Sequence, residues 1–437
     1  MTPRPPTVPP RADIPAVHAA IAPVSTLLRD RRCLYQLATE LLRPSADVNL
    51  EDGVAENPIV RHRIGEALAG RASLKPTDLV PISDLVGDSD RLDAGMCELA
   101  VAWRRESNRL LAAALDGVGA ELGRQHAASG PLRLITEAGG ERAAAALEVL
   151  RAGVALARST SRELIDDLLP HIALVGIIDP PSAGRMASAS SRSFPGLVLL
   201  ESPRSSIDAA EALVHEGAHQ KLFELAITRD LLTVHSDESP PFHPLWAPDS
   251  QGWPLEQTLA AGHAYACLAR FSHDWATSVG GPAVGTGSLL PVANERFEII
   301  AGWLLDRGDH LGADAHALLA GLLGQQPHRG LSTANSPDRT GSCYTVDPDL
   351  QFRRKDADRV LVGRPSQPPQ LFWLEPDAAL ALELLGQHQL TSQLVGRFAA
   401  RWGVPLPEAA DRVTLLLREL SSSGLVRKTS GQPPTVH

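Results

Sequence analysis

The stretch "SSIDAAEALVHEGAHQKLFELAI", residues 205–227, leaves the chain little choice of local structure. Its apolar residues recur at three and four spacing, which predicts a helix buried on most of its surface. Polar side chains on such a helix need partners. Asp208 is placed to cap its start, with Glu211 three residues on to close the cap reciprocally. His215 and His219 then lie one turn apart on one face, so both imidazoles can point at one ion. Glu216 is offset from His215 by about 100° at 3.6 residues per turn, which suits an acid/base or supporting group better than a ligand. Gly217 in mid-helix costs ~1 kcal/mol relative to Ala and predicts a close approach to the backbone there. The bland alternative is an exposed helix that happens to carry two histidines.

Two histidines need at least one further donor. His263, in the later apolar helix "LAAGHAYACLARF", is the expected third ligand, with Glu256 and Asp274 as alternatives. His235 and His243 fall in a polar, proline-rich loop and are expected to be solvated.

A chain of 437 residues suggests two or three domains. Ala and Leu are plentiful and long β-branched runs scarce, so the expected class is mainly α with a small strand pair. The strands are expected at residues 172–178 and 197–200, joined by a Ser, Gly and Pro-rich loop, whereas residues 93–122 and 139–169 read as helices. The expected organisation is a disordered tail over 1–16, a helical metal-binding domain over 17–325, a linker over 326–342, a small winged-helix-like domain over 343–430 and a tail over 431–437.

The formal charge of −10, with no cluster of Lys and Arg, argues against nucleic acid as a partner. Cys33, Cys97, Cys267 and Cys343 form no CxxC pair, so a reducing cytoplasm is expected. No apolar run reaches membrane-spanning length, and the start lacks a secretion signal, so no membrane association is expected.

The segments "SSRSFPGLVLLE", "ALVHEGAHQKLFEL" and "HPLWAPDSQGWPLEQTLAAGHAYACLARF", in this order, resemble the HExxH-containing peptide-modification proteins of ribosomal peptide natural-product clusters. That family includes iron(II) and 2-oxoglutarate-dependent β-hydroxylases of peptide side chains. The resemblance implies iron ligands at His215, His219 and His263, with dioxygen as the second co-substrate. Where it leads one to expect a Trp-Arg pair, the chain reads Trp246-Ala247. An Arg should pair with the distal carboxylate of 2-oxoglutarate, and Arg192 and Arg270 are the candidates.

The terminal segment "LFWLEPDAALALELLGQHQLTSQLVGRFAARWGVPLPEAADRVTLLLRELSSSGLVRK" resembles PqqD-like leader-peptide recognition domains. A ribosomally made precursor peptide is the implied partner. Its leader is expected to add a strand beside Val360, Leu361 and Val362, with Leu415 and Arg418 on the adjoining helix wall. A winged-helix DNA binder has a similar element order, but the charges of the last two helices are too balanced for a phosphate-tracking face. The expected function is hydroxylation of the precursor. The alternatives are a zinc metallopeptidase with Glu216 as general base, and a non-enzymatic leader-binding adaptor with a structural metal.

Overall fold

Residues 174–178 and 197–200 are strands, but they belong to a larger sheet than a pair. The computed structural model describes residues 12–43, 50–86, 91–102, 140–178, 188–234, 238–247, 252–278, 284–285, 287–324, 343–354, 360–365, 369–386 and 391–429. The fold is mainly α with small sheets, as the composition predicts.

The chain forms two compact units, the first built from residues 1–35, 49–66 and 74–328, the second from 36–48, 67–73 and 329–437. In the first, helices α1 (Ile14–Ile21), α2 (Val24–Leu42, which continues into the second unit), α3 (Asp52–Ala55) and α4 (Pro58–Leu68) precede strands β1 (Arg91–Asp93) and β2 (Glu98–Ala102). Then come α5 (Gly140–Leu168), β3 (Leu174–Ile178), β4 (Ser188–Ser190), β5 (Leu197–Glu201), α6 (Ser206–Thr228), α7 (Leu255–Ser278), α8 (Ala293–Leu305) and α9 (Ala313–Leu322). Helix α1 begins inside the stretch expected to be a tail; residues 1–11, the linker over 326–342 and the tail over 431–437 lie outside the described residues.

The sheet order is β1-β2-β3-β5-β4, with β2, β3 and β5 parallel and the two edge strands antiparallel. Residues 93–122 were expected to be helical; 103–122 lie outside the described residues, and 93–102 are not a helix. They form a hairpin end and a strand instead, because "ELAVA" inserts beside β3 and buries Leu99, Ala100, Val101 and Ala102; in a buried parallel strand both faces are apolar, and a short apolar run reads alike as helix or strand. Val175, Ile177, Val198 and Leu200 face the core that contains α5, α6 and α7, while Leu174, Ile178, Leu197 and Leu199 face Ile59 and Phe194 on the other side. This alternation is the period-2 geometry of a strand. Helices α5 and α6 cross closely: a Cβ on Gly153 would lie 2.5 Å from that of Ala209.

In the second unit β6 (Cys343–Val346) pairs with β10 (Val426–Thr429), and β7 (Gln351–Arg354), β8 (Val360–Arg364) and β9 (Gln370–Leu374) form an antiparallel sheet. Helices α10 (Pro376–Gly386), α11 (Thr391–Trp402) and α12 (Leu406–Ser422) bury Leu382, Leu385, Leu394, Phe398, Val413 and Leu417 against Val360 and Val362. The end of α2 belongs here too, with Leu37 and Leu41 lying against Gly363. A helix that passes from one unit to the other keeps its apolar period, so the sequence showed no boundary there. Among the described residues no helix is long and apolar enough to cross a membrane.

Candidate metal centre on helix α6

Ser205, in extended conformation, caps α6 by accepting from the Asp208 amide at 3.3 Å. The cap therefore sits three residues before the expected Asp208, whose carboxylate instead lies in the first turn where the helix dipole favours it. Glu211 does not close the cap: it accepts from Ser288 Oγ at 2.5 Å and the Leu289 amide at 2.5 Å. Gly217 has the close neighbour its position predicts, since a Cβ there would meet Leu168 Cβ at 3.2 Å. The polar residues around the motif are all engaged. Gln220 ties the helix to β5 through the Gly196 amide at 2.6 Å and the Leu197 carbonyl at 3.0 Å, Lys221 pairs with Asp167, and Glu224 pairs with Arg31 and His171.

His215 and His219 meet with their Nε2 atoms 3.2 Å apart and their rings nearly perpendicular at 85°, both partly buried. Two nitrogens held ~2.1 Å from one ion at 90° to 110° are about 3.0–3.4 Å apart, so the pair fits a shared cation. Burial, and then the charge of the neighbouring His215, hold His219 well below the ordinary histidine range, so its ring is neutral and free to donate a lone pair. Glu216 is buried; its Oε1 accepts from Ser188 Oγ on β4 at 2.6 Å, and its Oε2 has no hydrogen-bond partner among the described residues. A buried carboxylate oxygen without a partner costs free energy and is characteristic of a group kept for chemistry or for a ligand.

The structure does not bring His263 to this pair. On α7 it lies two positions before Tyr265, about 200° round the helix. Tyr265 is the residue that faces the pair, its ring centroid 6.3 Å from that of His215. His263 points elsewhere, its Nδ1 donating to the Ala218 carbonyl at 3.0 Å and its Nε2 lying 2.7 Å from Nε2 of His18. Both sides of α7 are buried, so its apolar pattern could not say which residue faces which neighbour. The other two donor candidates are also engaged: Glu256 pairs with Arg192, and Asp274 accepts from Ser161 Oγ at 2.5 Å and from Arg270 Nε at 2.9 and 3.0 Å.

Arg192 and Arg270, the expected anion anchors, each pair with a carboxylate of the protein itself. Arg296 on α8 has no such carboxylate among the described residues. It donates to the Tyr265 hydroxyl at 2.9 Å, and its guanidinium lies 4.9 Å over Trp246 and 5.5 Å over Tyr265. A guanidinium in this position would fill the role expected of an Arg after Trp246, where the chain has Ala247. It was missed because it lies two elements downstream in no motif; only the packing of α8 on α7 brings it to Tyr265.

The expected strand-addition site also needs correction. Val360, Leu361 and Val362 lie on β8, the central strand, hydrogen-bonded to β7 on one side and β9 on the other. Their backbone groups are already paired, so no peptide strand can join there. Leu415 and Arg418 are exposed on the outer face of α12.

No family model matches the chain, and no curated protein matches it.

Proposed function

We propose that the chain is a metal-dependent enzyme of peptide substrates whose ion is held by His215 and His219, and that its reaction is iron(II) and 2-oxoglutarate-dependent hydroxylation of a ribosomally made precursor. The observation that carries this reading is the guanidinium of Arg296, without a carboxylate partner among the described residues and linked through Tyr265 to the side of the histidine pair. Bound iron(II) would supply the redox chemistry by which 2-oxoglutarate and dioxygen become succinate and carbon dioxide while one oxygen atom enters a substrate C–H bond.

The chain's own residues divide the remaining work. His215 and His219 hold the ion. Arg296 takes the distal carboxylate of the co-substrate in a charge-assisted contact, held in place by the Tyr265 hydroxyl and the face of Trp246. Glu216, fixed by Ser188, orients what approaches the ion from the β4 side. The second unit holds the leader peptide. With β8 covered on both sides, an added strand would join the outer edge of β7 or β9.

The unpartnered Oε2 of Glu216 favours a second reading, zinc-dependent peptide hydrolysis, in which that oxygen takes a proton from water and passes it to the leaving amine. Full-length protein loaded with iron and supplied with 2-oxoglutarate and precursor is expected to release succinate and add one oxygen atom to the peptide. Two peptide fragments from zinc-loaded protein, with no oxygen gained in the iron reaction, would replace the first reading by the second. Glu216→Gln sharpens the choice: roughly tenfold loss is expected of an orienting group, against about 10²- to 10⁴-fold for a general base.

A further inference from the structure

His18 on α1 and His263 and Cys267 on α7 form a second cluster of donors, apart from the His215 and His219 pair and fully inside the first unit. Their ligating atoms all lie within 4.8 Å of one another, with Cys267 Sγ 3.8 Å from His263 Nε2. Each histidine is anchored by its other nitrogen. Asp167 Oδ2 lies 2.6 Å from His18 Nδ1, and the Ala218 carbonyl lies 3.0 Å from His263 Nδ1.

These anchors fix the tautomers. A carbonyl oxygen only accepts, so His263 Nδ1 carries the hydrogen. Asp167 is the carboxylate partner of the Lys221 ammonium and therefore accepts as well, which places the hydrogen of His18 on its Nδ1. With neutral rings both Nε2 atoms then present bare lone pairs, yet they sit 2.7 Å apart. Two lone pairs that close repel, and the contact requires a positive species between them. A shared proton would place an imidazolium in the core beside the existing ammonium of Lys221, a like-charge arrangement that is costly at low dielectric. A metal ion meets the same need once the two nitrogens part by a few tenths of an ångström to the roughly 3.0–3.4 Å that two ligands of one ion require. It also takes Cys267, whose thiolate leaves no net charge with copper(I) and one positive charge with zinc.

We infer that His18, His263 and Cys267 are the ligands of a buried metal site for a thiophilic d¹⁰ ion, zinc or copper(I). Two imidazoles and a thiolate are the donors such ions prefer. The hydrogen bonds from the two Nδ1 atoms to a carboxylate and a backbone carbonyl are the supporting contacts that hold histidine ligands in register. The three side chains are buried, so the ion enters during folding and has no route to substrate. Its role is to fasten α1 to α7 beside α6. This inference is independent of the proposed function, because it uses none of the residues assigned to the reaction.

The test uses the full chain carrying His215→Ala and His219→Ala, expressed in separate cultures supplemented with zinc, copper or cobalt so that the ion is present as the protein folds. Close to one equivalent of zinc or copper is expected to stay with the purified protein, and which of the two is retained identifies the ion. X-ray absorption should show one sulfur and two imidazole nitrogens, and the cobalt form should show a thiolate charge-transfer band. Adding Cys267→Ser, or separately His18→Gln, should remove most of the retained metal. Folded protein from all three cultures that carries no metal and no cobalt band would overturn the site and leave the shared proton as the explanation. A full equivalent retained with the band intact after Cys267→Ser would overturn it equally, by placing the ion on other residues. Should Cys267→Ser fail to fold, the sulfur and nitrogen shell of the parent protein decides by itself.

Discussion

The chain contains two histidine pairs that look alike on paper and differ in every physical respect. His215 and His219 come from one helix, four residues apart, with their Nε2 atoms 3.2 Å apart and their rings partly exposed. His18 and His263 come from helices 245 residues apart in sequence, meet at 2.7 Å, and are buried. Beside the first pair, Glu216 has a carboxylate oxygen with no partner among the described residues, and Tyr265 bonds an Arg296 with no carboxylate partner among them. The second is enclosed by a charge network in which Asp167 and Lys221 satisfy each other. Spare polar capacity at an accessible pair suits reaction with something from outside; fully committed capacity at a buried pair suits holding the fold together.

The largest effect should separate the pairs outright. His215→Ala or His219→Ala is expected to remove metal-dependent turnover, several kcal/mol of catalysis or roughly 10³-fold, with little change in the folded state. Comparing turnover with the far-ultraviolet dichroism of each variant checks this, and unfolding caused by either substitution would erase the contrast. Lys221→Met attacks the other side. It leaves the Asp167 carboxylate buried without its ammonium, and should destabilise the first unit by about 3–5 kcal/mol in urea unfolding of the full chain. A cost under about 1 kcal/mol would mean that the network around the buried pair is not structural.

Acid should act on the same network. Burial alone would raise the Glu224 carboxylate, but Arg31 and His171 outweigh it and hold the group down at about 2. A carboxyl depressed in the folded state adds stability that is fully present above the unfolded value near 4.5 and is lost as pH falls towards 2. At ~1.4 kcal/mol per unit this is on the order of 3 kcal/mol. Urea midpoints measured from pH 5 down to pH 2 should therefore fall steeply, and Glu224→Gln should flatten the slope; parallel curves would refute the assignment. The smallest effect belongs to Arg296→Gln, expected to weaken 2-oxoglutarate binding about 10- to 100-fold by removing a charge-assisted contact of ~1.5–3 kcal/mol. Quenching of tryptophan fluorescence by added 2-oxoglutarate reads it directly, and unchanged affinity would remove Arg296 from the site.

Helix α6, its two histidines on one face and the tight contact at Gly217 were legible because each follows from spacing within one helix. The strands around Val175 and Val198 were legible as apolar runs, and the helices of the second unit as periodic segments. The β1-β2 hairpin was not, since "ELAVA" becomes a strand only by pairing with β3. The central position of β8 was likewise hidden, because β7 had no recognisable signal of its own.

By itself the sequence determined the helical class, the position of α6 and the geometry of His215, Glu216 and His219, because a helix turns local spacing into fixed relative direction. Only the tertiary structure decided which side of α7 faces which neighbour. That orientation sends His263 to His18, brings Tyr265 to His215 and joins it to Arg296. When a helix is buried all round, every face is apolar enough to point inward, and the choice among them is made by the shapes and charges of the elements packed against it.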